Sequence, residues 1–440
     1  MIAIIFEHMT KMSSFCCHGR NLTKEFMMKT VAIIGCGKRG TDKEGWAIGH
    51  AHAQGYLKSG HDVRILGVDV SPENLNVFGE AFNLSTSQLF SSAEALYAAC
   101  TPDIVSICTW PALHHPMMLE AIQKGVKGIA CEKPFATDTA QIREIEAKAA
   151  KAGTRIVVAH QRRCDAYADA FRQVISEGTL GDNLQVIAHV GDDWDILSWT
   201  THWFDMANYL FEAPPAWVLA GMQIGENHRY KHAVEDASVV YADYGKRGSG
   251  LFLTGPGKGC SFRLHGDKGV ARIGKTGIDC ATFEGFRHVP FPAKSRVGFA
   301  GMLDQLITWM DGGPEARCSI GRSAVATEMA FAAQESARTG QKIELPLTRA
   351  LFAPLEVVQH PVHTGWHSAW LPQDEVFVAL KESAPVEIGL TATISSGIFP
   401  AAWRLKEKPH IGAWMPGHRR DAWNVPAMRD GIARTLLSLL

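Results

Sequence analysis

Six consecutive residues, Gly35-Cys36-Gly37-Lys38-Arg39-Gly40, have the types and spacing to hold a pyrophosphate. Gly35 allows a tight turn, Gly37 lets the backbone approach the phosphates, and Gly40 lets the next helix pack on the strand. Free N–H groups and the positive dipole end of that helix then face the anion. Asp69 is the second candidate. It closes the apolar run Val63 to Val68. A carboxylate there accepts from a ribose 2′-hydroxyl and repels a 2′-phosphate, which favours NAD over NADP. A plain helix cap is its alternative role. Lys38 and Arg39 pull toward NADP, since a cation near that pocket holds a phosphate. Asp69 lies 29 residues beyond Gly40, against about 20 in the usual fingerprint. The polar insertion Thr41 to Gly45 accounts for the excess.

These residues need a rigid frame. Val31 to Ile34 runs straight into Gly35 and predicts a strand buried on both faces. Ser91-x-x-Glu94 predicts a capped helix ending near Cys100. A strand follows over Asp103 to Thr109, then a helix from Pro116 to Gly125. Gly128 to Cys131 is the next strand, ending at Glu132-Lys133-Pro134. Asp138-x-x-Gln141 opens a helix to Gly153, and Ile156 to Ala159 is a last strand. Strands alternating with helices predict a doubly wound parallel sheet, an α/β Rossmann-type unit. Ligands of such sheets sit at the carboxyl ends of strands, where Gly35, Asp69, Thr109 and Glu132-Lys133 fall.

Beyond His160 the texture changes to closely spaced strand-like runs, among them Leu184 to Val190, Trp217 to Ile224, Ala237 to Tyr244 and Gly269 to Ile273. They predict an α+β domain with a large, open, mostly antiparallel sheet. Helices are expected at 202–211, 302–310 and 323–339. The expected division is a leader or overlong start at 1–28, a dinucleotide-binding domain at 29–159, a substrate and oligomerisation domain at 160–349, and a C-terminal extension at 350–440 ending in a helix from Pro426.

The 440 residues carry a net charge of −1, so nothing draws the chain to nucleic acid or a membrane surface. The ten cysteines contain no C-x-x-C pair. They fit reduced thiols of a cytoplasmic protein, and no metal site is expected.

From Val31 to about Pro346 the chain resembles the Gfo/Idh/MocA oxidoreductases. Thr109-Trp110-Pro111-Ala112-Leu113-His114 resembles the family's threonine-proline-rich loop, with Trp110 where proline is commoner. Glu132-Lys133-Pro134 matches its Glu-Lys-Pro signature. His160-Gln161-Arg162-Arg163 resembles the entry to its second domain, and Thr201-His202-Trp203-Phe204-Asp205 its histidine-bearing helix. Val234-Glu235-Asp236 and Gly266-Asp267-Lys268-Gly269 are similar to its sheet turns.

The resemblance implies a cofactor site that adds Cys36, Thr109, Trp110, Pro111, His114, Glu132 and Lys133 to the glycines and Asp69. It also implies a cis Lys133-Pro134 bond, a homo-oligomer, and hydride transfer between a nicotinamide and a carbinol carbon of a sugar, cyclitol or related polyol. Such a reaction needs a group to take the hydroxyl proton, and Lys133 and His202 are the catalytic candidates. Arg163, Trp194, Ser198 and Trp199 are candidate sugar contacts, being hydrogen-bonders and flat apolar faces. Many relatives carry an aspartate four residues before the histidine; here the residue is Ser198. Ser198 hydrogen-bonds but brings no charge to His202, a task left to Asp195 or Asp205. Two other readings stand beside the dehydrogenase: a redox-assisted lyase, glycosidase or epimerase with tightly bound NAD, and a non-catalytic dinucleotide sensor.

Overall fold

The computed structural model describes residues 28–37, 47–229, 232–293 and 296–348, and the backbone of three strands beyond them. The leader, Lys38, Arg39, Gly40 and the helix expected from Pro426 lie outside the described residues.

The first sheet is parallel and runs β3(Leu89–Phe90), β2(Val63–Val68), β1(Lys29–Ile34), β4(Ile104–Ile107), β5(Gly128–Cys131) and β6(Arg155–Val158). That order is the doubly wound one, whose reversal between β1 and β4 opens a ligand crevice at the carboxyl edge. Alternate residues point to opposite faces. Val31 and Ile33 enter one core, Ala32 and Ile34 the other.

α1(Ile48–Leu57), α2(Pro72–Phe82), α3(Ala93–Ala99), α4(Pro111–Gln123) and α5(Thr139–Ala152) connect the strands. Asp138 caps α5 as the sequence predicts, its Oδ1 accepting from the Gln141 N–H at 2.9 Å. Two starts differ from expectation. Ser92, not Ser91, caps α3, accepting from the Ala95 N–H. α4 begins at Pro111, because that earlier proline takes the first-turn position where no N–H is required.

The second sheet has nine strands: β7(Gln185–Val190), β8(Trp217–Arg229), β9(His232–Asp243), β10(Ser249–Thr254), β11(Cys260–Gly266), β12(Gly269–Ile273), β13(Gly277–Thr282), β14(Gly285–Pro290) and β15(Ile343–Glu344). All neighbours are antiparallel except β7 and β10. α6(Ala166–Ser176), α7(Thr201–Phe211) and α9(Ile320–Thr339) accompany it. α8(Gly298–Met310) returns to the first sheet. Its Met302, Leu303, Leu306 and Ile307 share a core with Val31, Ile33 and Tyr56. The extension contains three antiparallel strands, β16(Val386–Ile394), β17(Gly397–Leu405) and β18(Gly412–Trp414), which its weak periodicity did not announce.

Candidate active site

The glycine turn follows β1 directly. Gly35 has φ +95°, and a Cβ there would stand 2.6 Å from the Cys108 carbonyl oxygen. Only glycine fits both the angle and the approach. Gly49 in α1 lies against the Gly35 carbonyl, where a Cβ would collide with it. Gly49 thus makes a close helix–strand contact in α1, while Gly40, to which the sequence assigns such a contact, lies outside the described residues. Gly37 is more open, its Cβ position meeting only Asn74 at 3.4 Å.

Asp69 is not a helix cap, since Ser71 caps α2. Its Oδ2 accepts from the Cys36 N–H at 2.8 Å, and its Oδ1 accepts from the Ser71 N–H at 2.9 Å and Asn74 Nδ2 at 3.2 Å. A carboxylate has about four acceptor sites, so one remains for a ribose hydroxyl. Cys36 is fully buried, and burial pushes its thiol up to about 12. With its N–H spent on Asp69, Cys36 shapes the turn and has nothing left to give a phosphate. The positive-φ turn, the open Gly37 and the spare acceptor on Asp69 fit a dinucleotide.

The loops after β4 and β5 are tied together. His114 is fully buried between two backbone carbonyls, its Nδ1 2.9 Å from that of Pro134 and its Nε2 3.0 Å from that of Thr109, and its neutral ring donates to one of them. Burial holds its imidazole below the usual range. His114 thus braces the two loops and is not itself on the cleft surface, a correction to the sequence expectation. Trp110 precedes Pro111 and stays 45% exposed over the crevice.

Glu132 is likewise committed inward. His52 Nε2 meets its Oε1 at 3.0 Å, and the other His52 nitrogen meets Ser106 Oγ at 3.0 Å. Although burial opposes ionisation, the His52 contact and Lys133 hold this carboxyl below its ordinary value. Glu132 fixes the turn that presents Lys133, its Oε1 turned toward His52 and its Oε2 accepting from the Lys133 N–H at 3.3 Å. The following Lys133-Pro134 bond is cis. His52 was not singled out in the sequence; a lone histidine on a helix carries no signal of its own.

Lys133 reaches across to the second domain, where Nζ donates to the Ser198 carbonyl. That carbonyl lies in a single π-helical turn, Ile196–Thr200, running into α7. Such turns recur at functional sites because they free backbone groups from the regular ladder. Asp195 caps the turn, its Oδ1 accepting from the Ser198 N–H at 2.8 Å. Glu235 accepts from the Ile196 N–H at 2.5 Å.

His202, in the first turn of α7, is 4% exposed and rests edge-on against Trp199, with ring centroids 5.2 Å apart. Burial, helped by the charges of Lys133, His160 and Arg162, holds its imidazole well below 6.5. Trp194 and Trp199 are half-buried, and the Arg162 guanidinium lies 5.3 Å from the Trp199 ring centroid.

Arg163 is elsewhere. Its guanidinium is buried and forks onto Asp205, Nε to Oδ2 at 2.5 Å and Nη2 to Oδ1 at 2.7 Å. It also donates to the carbonyls of Arg317 and Arg322. Each charge sustains the other: Asp205 raises the Arg163 guanidinium, which holds the Asp205 carboxyl below its usual range. Arg163 is therefore an internal brace and not a sugar contact, and Asp205 is spent on it rather than on His202. Asp195 serves as the turn's cap. Neither aspartate stands in the place Ser198 leaves. Among the described residues no cluster of three or more His, Cys, Asp or Glu is arranged to hold a metal, and no helix is long and apolar enough to cross a membrane.

Residues 29–160 match the sequence profile of the Gfo/Idh/MocA oxidoreductase family, which has an NAD-binding Rossmann fold. The nucleotide-binding part of the chain is thus of the Gfo/Idh/MocA type. Inositol 2-dehydrogenase of Rhizobium meliloti (strain 1021) is 24% identical over 326 residues, 68% of this chain and 96% of that protein. An oxidoreductase from Agrobacterium radiobacter, solved with NAD+, L-tartaric acid and magnesium, superposes with a TM-score of 0.61 at 17% identity, covering 72% of this chain and 98% of its own. The WlbA dehydrogenase from Bordetella pertussis, solved with NADH and UDP-GlcNAcA, gives 0.59 at 21% identity over 73% and 99%. The match supports an NAD-binding oxidoreductase domain over residues 29–160.

Proposed function

We propose that this protein is an NAD-dependent dehydrogenase of a sugar, cyclitol or related polyol, with Lys133 and His202 as its proton-handling pair. The observation that carries the reading is that one turn, Ile196–Thr200, holds the Lys133 ammonium from the first domain and leads into the helix that bears His202. Lys133 Nζ is held on the Ser198 carbonyl, and His202 begins the helix that this turn feeds. Relatives named inositol 2-dehydrogenase and D-apiose dehydrogenase support the substrate class.

The glycine turn and Asp69 would hold the dinucleotide, and bound NAD supplies the hydride acceptor. The Lys133 ammonium donates to the substrate hydroxyl oxygen and stabilises the charge that grows there as the proton leaves. His202 takes that proton. A buried imidazole held below 6.5 is neutral at physiological pH and so is ready to accept. Trp199 offers a flat face beside it.

Net formation of NADH with myo-inositol or a panel of aldoses is the expected result. Product without net NADH would point to a redox-assisted lyase or epimerase instead. The acid limb of kcat/KM is expected below pH 6.5, because the base must be neutral and its native value is depressed. Ser198→Asp should move that limb upward by stabilising the imidazolium. A limb at or above 6.5 in the unmodified enzyme would contradict the assignment of His202.

NAD is expected to bind more tightly than NADP, since the acceptor left on Asp69 faces a 2′-phosphate as a like charge. Equal or tighter NADP binding at one salt concentration would show that Lys38 and Arg39 decide the matter.

Association is expected through the second sheet. Its outer face exposes Leu219 and Val239 beside the paired rings of Trp217 and Tyr241, 5.4 Å apart. Light scattering at micromolar concentration should return a multiple of the 48.1 kDa chain mass; a single chain mass would refute the assembly.

A further inference from the structure

We propose that His160 is a positioning residue for His202, passing to it the anchorage of the buried Arg163–Asp205 pair. The proposal rests on the reading of His202 as the proton acceptor. His160 stands directly after β6, at the carboxyl edge of the first sheet, and is fully buried. Its Nδ1 lies 3.3 Å from Asp205 Oδ1. That carboxylate is immobile, because Arg163 forks onto both of its oxygens. The same imidazole also meets His202. The two rings meet at 81° with centroids 5.7 Å apart, and Trp199 meets the His202 ring at 73°. His202 is thus wedged between two rings, one of which is fixed by a carboxylate.

The wedge matters because hydrogen bonds do not orient His202. Its Nδ1 has no hydrogen-bond partner among the described residues. Ser198, four residues earlier, spends its N–H on Asp195 and its carbonyl on Lys133. The charged groups that act on His202 are Lys133 and Arg162, with His160, and none of them is an acid. A catalytic imidazole normally owes its orientation and tautomer to the partner of its second nitrogen. Here that work falls to the His160 ring. The Asp205 carboxylate beside Nδ1 favours hydrogen on that nitrogen of His160.

The test uses the full chain, selectively labelled with 15N-histidine. His160→Phe keeps a ring against His202 and removes the anchor on Asp205. His160→Asn keeps a donor toward Asp205 and removes the ring. Positioning requires both parts. Each folded variant should therefore lose about 10²-fold in kcat on the panel substrate, the scale expected when a reacting group is misplaced by an ångström. NAD affinity should change less than twofold. The His202 15N shifts should move from split values toward the tautomer average. Adding Ser198→Asp to either variant should recover part of kcat, since a carboxylate four residues away on the helix can orient the ring directly. A role in packing alone predicts a normal His160→Phe enzyme and no rescue by aspartate. Wild-type kcat with unmoved His202 shifts in either folded variant overturns the proposal. His202→Ala is run in parallel. If it retains full turnover, the proton-acceptor reading fails, while the shifts still report whether His160 orients the ring.

Discussion

Lys133→Met is expected to lower turnover by about 10²–10⁴-fold, the contribution of a well-placed acid or base. Methionine preserves the length of the side chain and removes the charge that meets the Ser198 carbonyl. The dinucleotide is gripped elsewhere, at the glycine turn and Asp69, so NAD affinity should stay within about twofold. His202→Ala should cost a similar factor. The double variant should be little worse than either single one, because groups that act as a unit are not additive. Stopped-flow formation of NADH separates chemistry from release. Near-normal turnover of Lys133→Met on a verified substrate would falsify the assignment of this lysine, and the mechanism with it.

Asp205→Ala is expected to destabilise the fold by about 3–5 kcal/mol, because it leaves the Arg163 guanidinium buried and unpaired. Both partners are nearly inaccessible, and Arg163 also ties down two carbonyls around the start of α9. Replacing both, as Arg163→Met with Asp205→Leu, should be milder than either single change, since no uncompensated charge remains. Equilibrium urea unfolding of the three variants measures this. The pH dependence has a definite sign. Asp205 is depressed from 3.8 in the native state, so its contribution is present above that value and fades as pH falls through its lower native value. A loss below about 1 kcal/mol for Asp205→Ala would mean that water reaches the guanidinium and solvates it.

The two predictions separate residues that the sequence made look alike. Lys133, His202 and Arg163 are all basic and all sit in motifs shared with relatives. Burial with a fixed counter-charge makes Arg163 a brace, whereas the depressed, unpaired imidazole of His202 remains available for chemistry.

Local pattern alone determined much of this protein. The apolar run into Gly35, the alternation of strands and helices, the Asp138 cap and the change of texture after His160 are short-range signals set by backbone geometry and side-chain period. They were enough for the parallel sheet, the second mostly antiparallel sheet and the carboxyl edge where ligands gather. What they could not supply was the partner of each polar group. Glu132 turns inward because His52 comes from a helix 80 residues earlier in the chain, and His114 braces two loops because both carbonyls happen to face one buried ring. Gly49 packs against the Gly35 carbonyl because the fold brings α1 onto the turn after β1. His160 lay at a strand end like Asp69 and Glu132, so its place was legible, but its ionic contact with Asp205 and its ring contact with His202 were not. Burial, and the pairing it forces on charged groups, depends on which distant segments meet, and only the tertiary structure decides that.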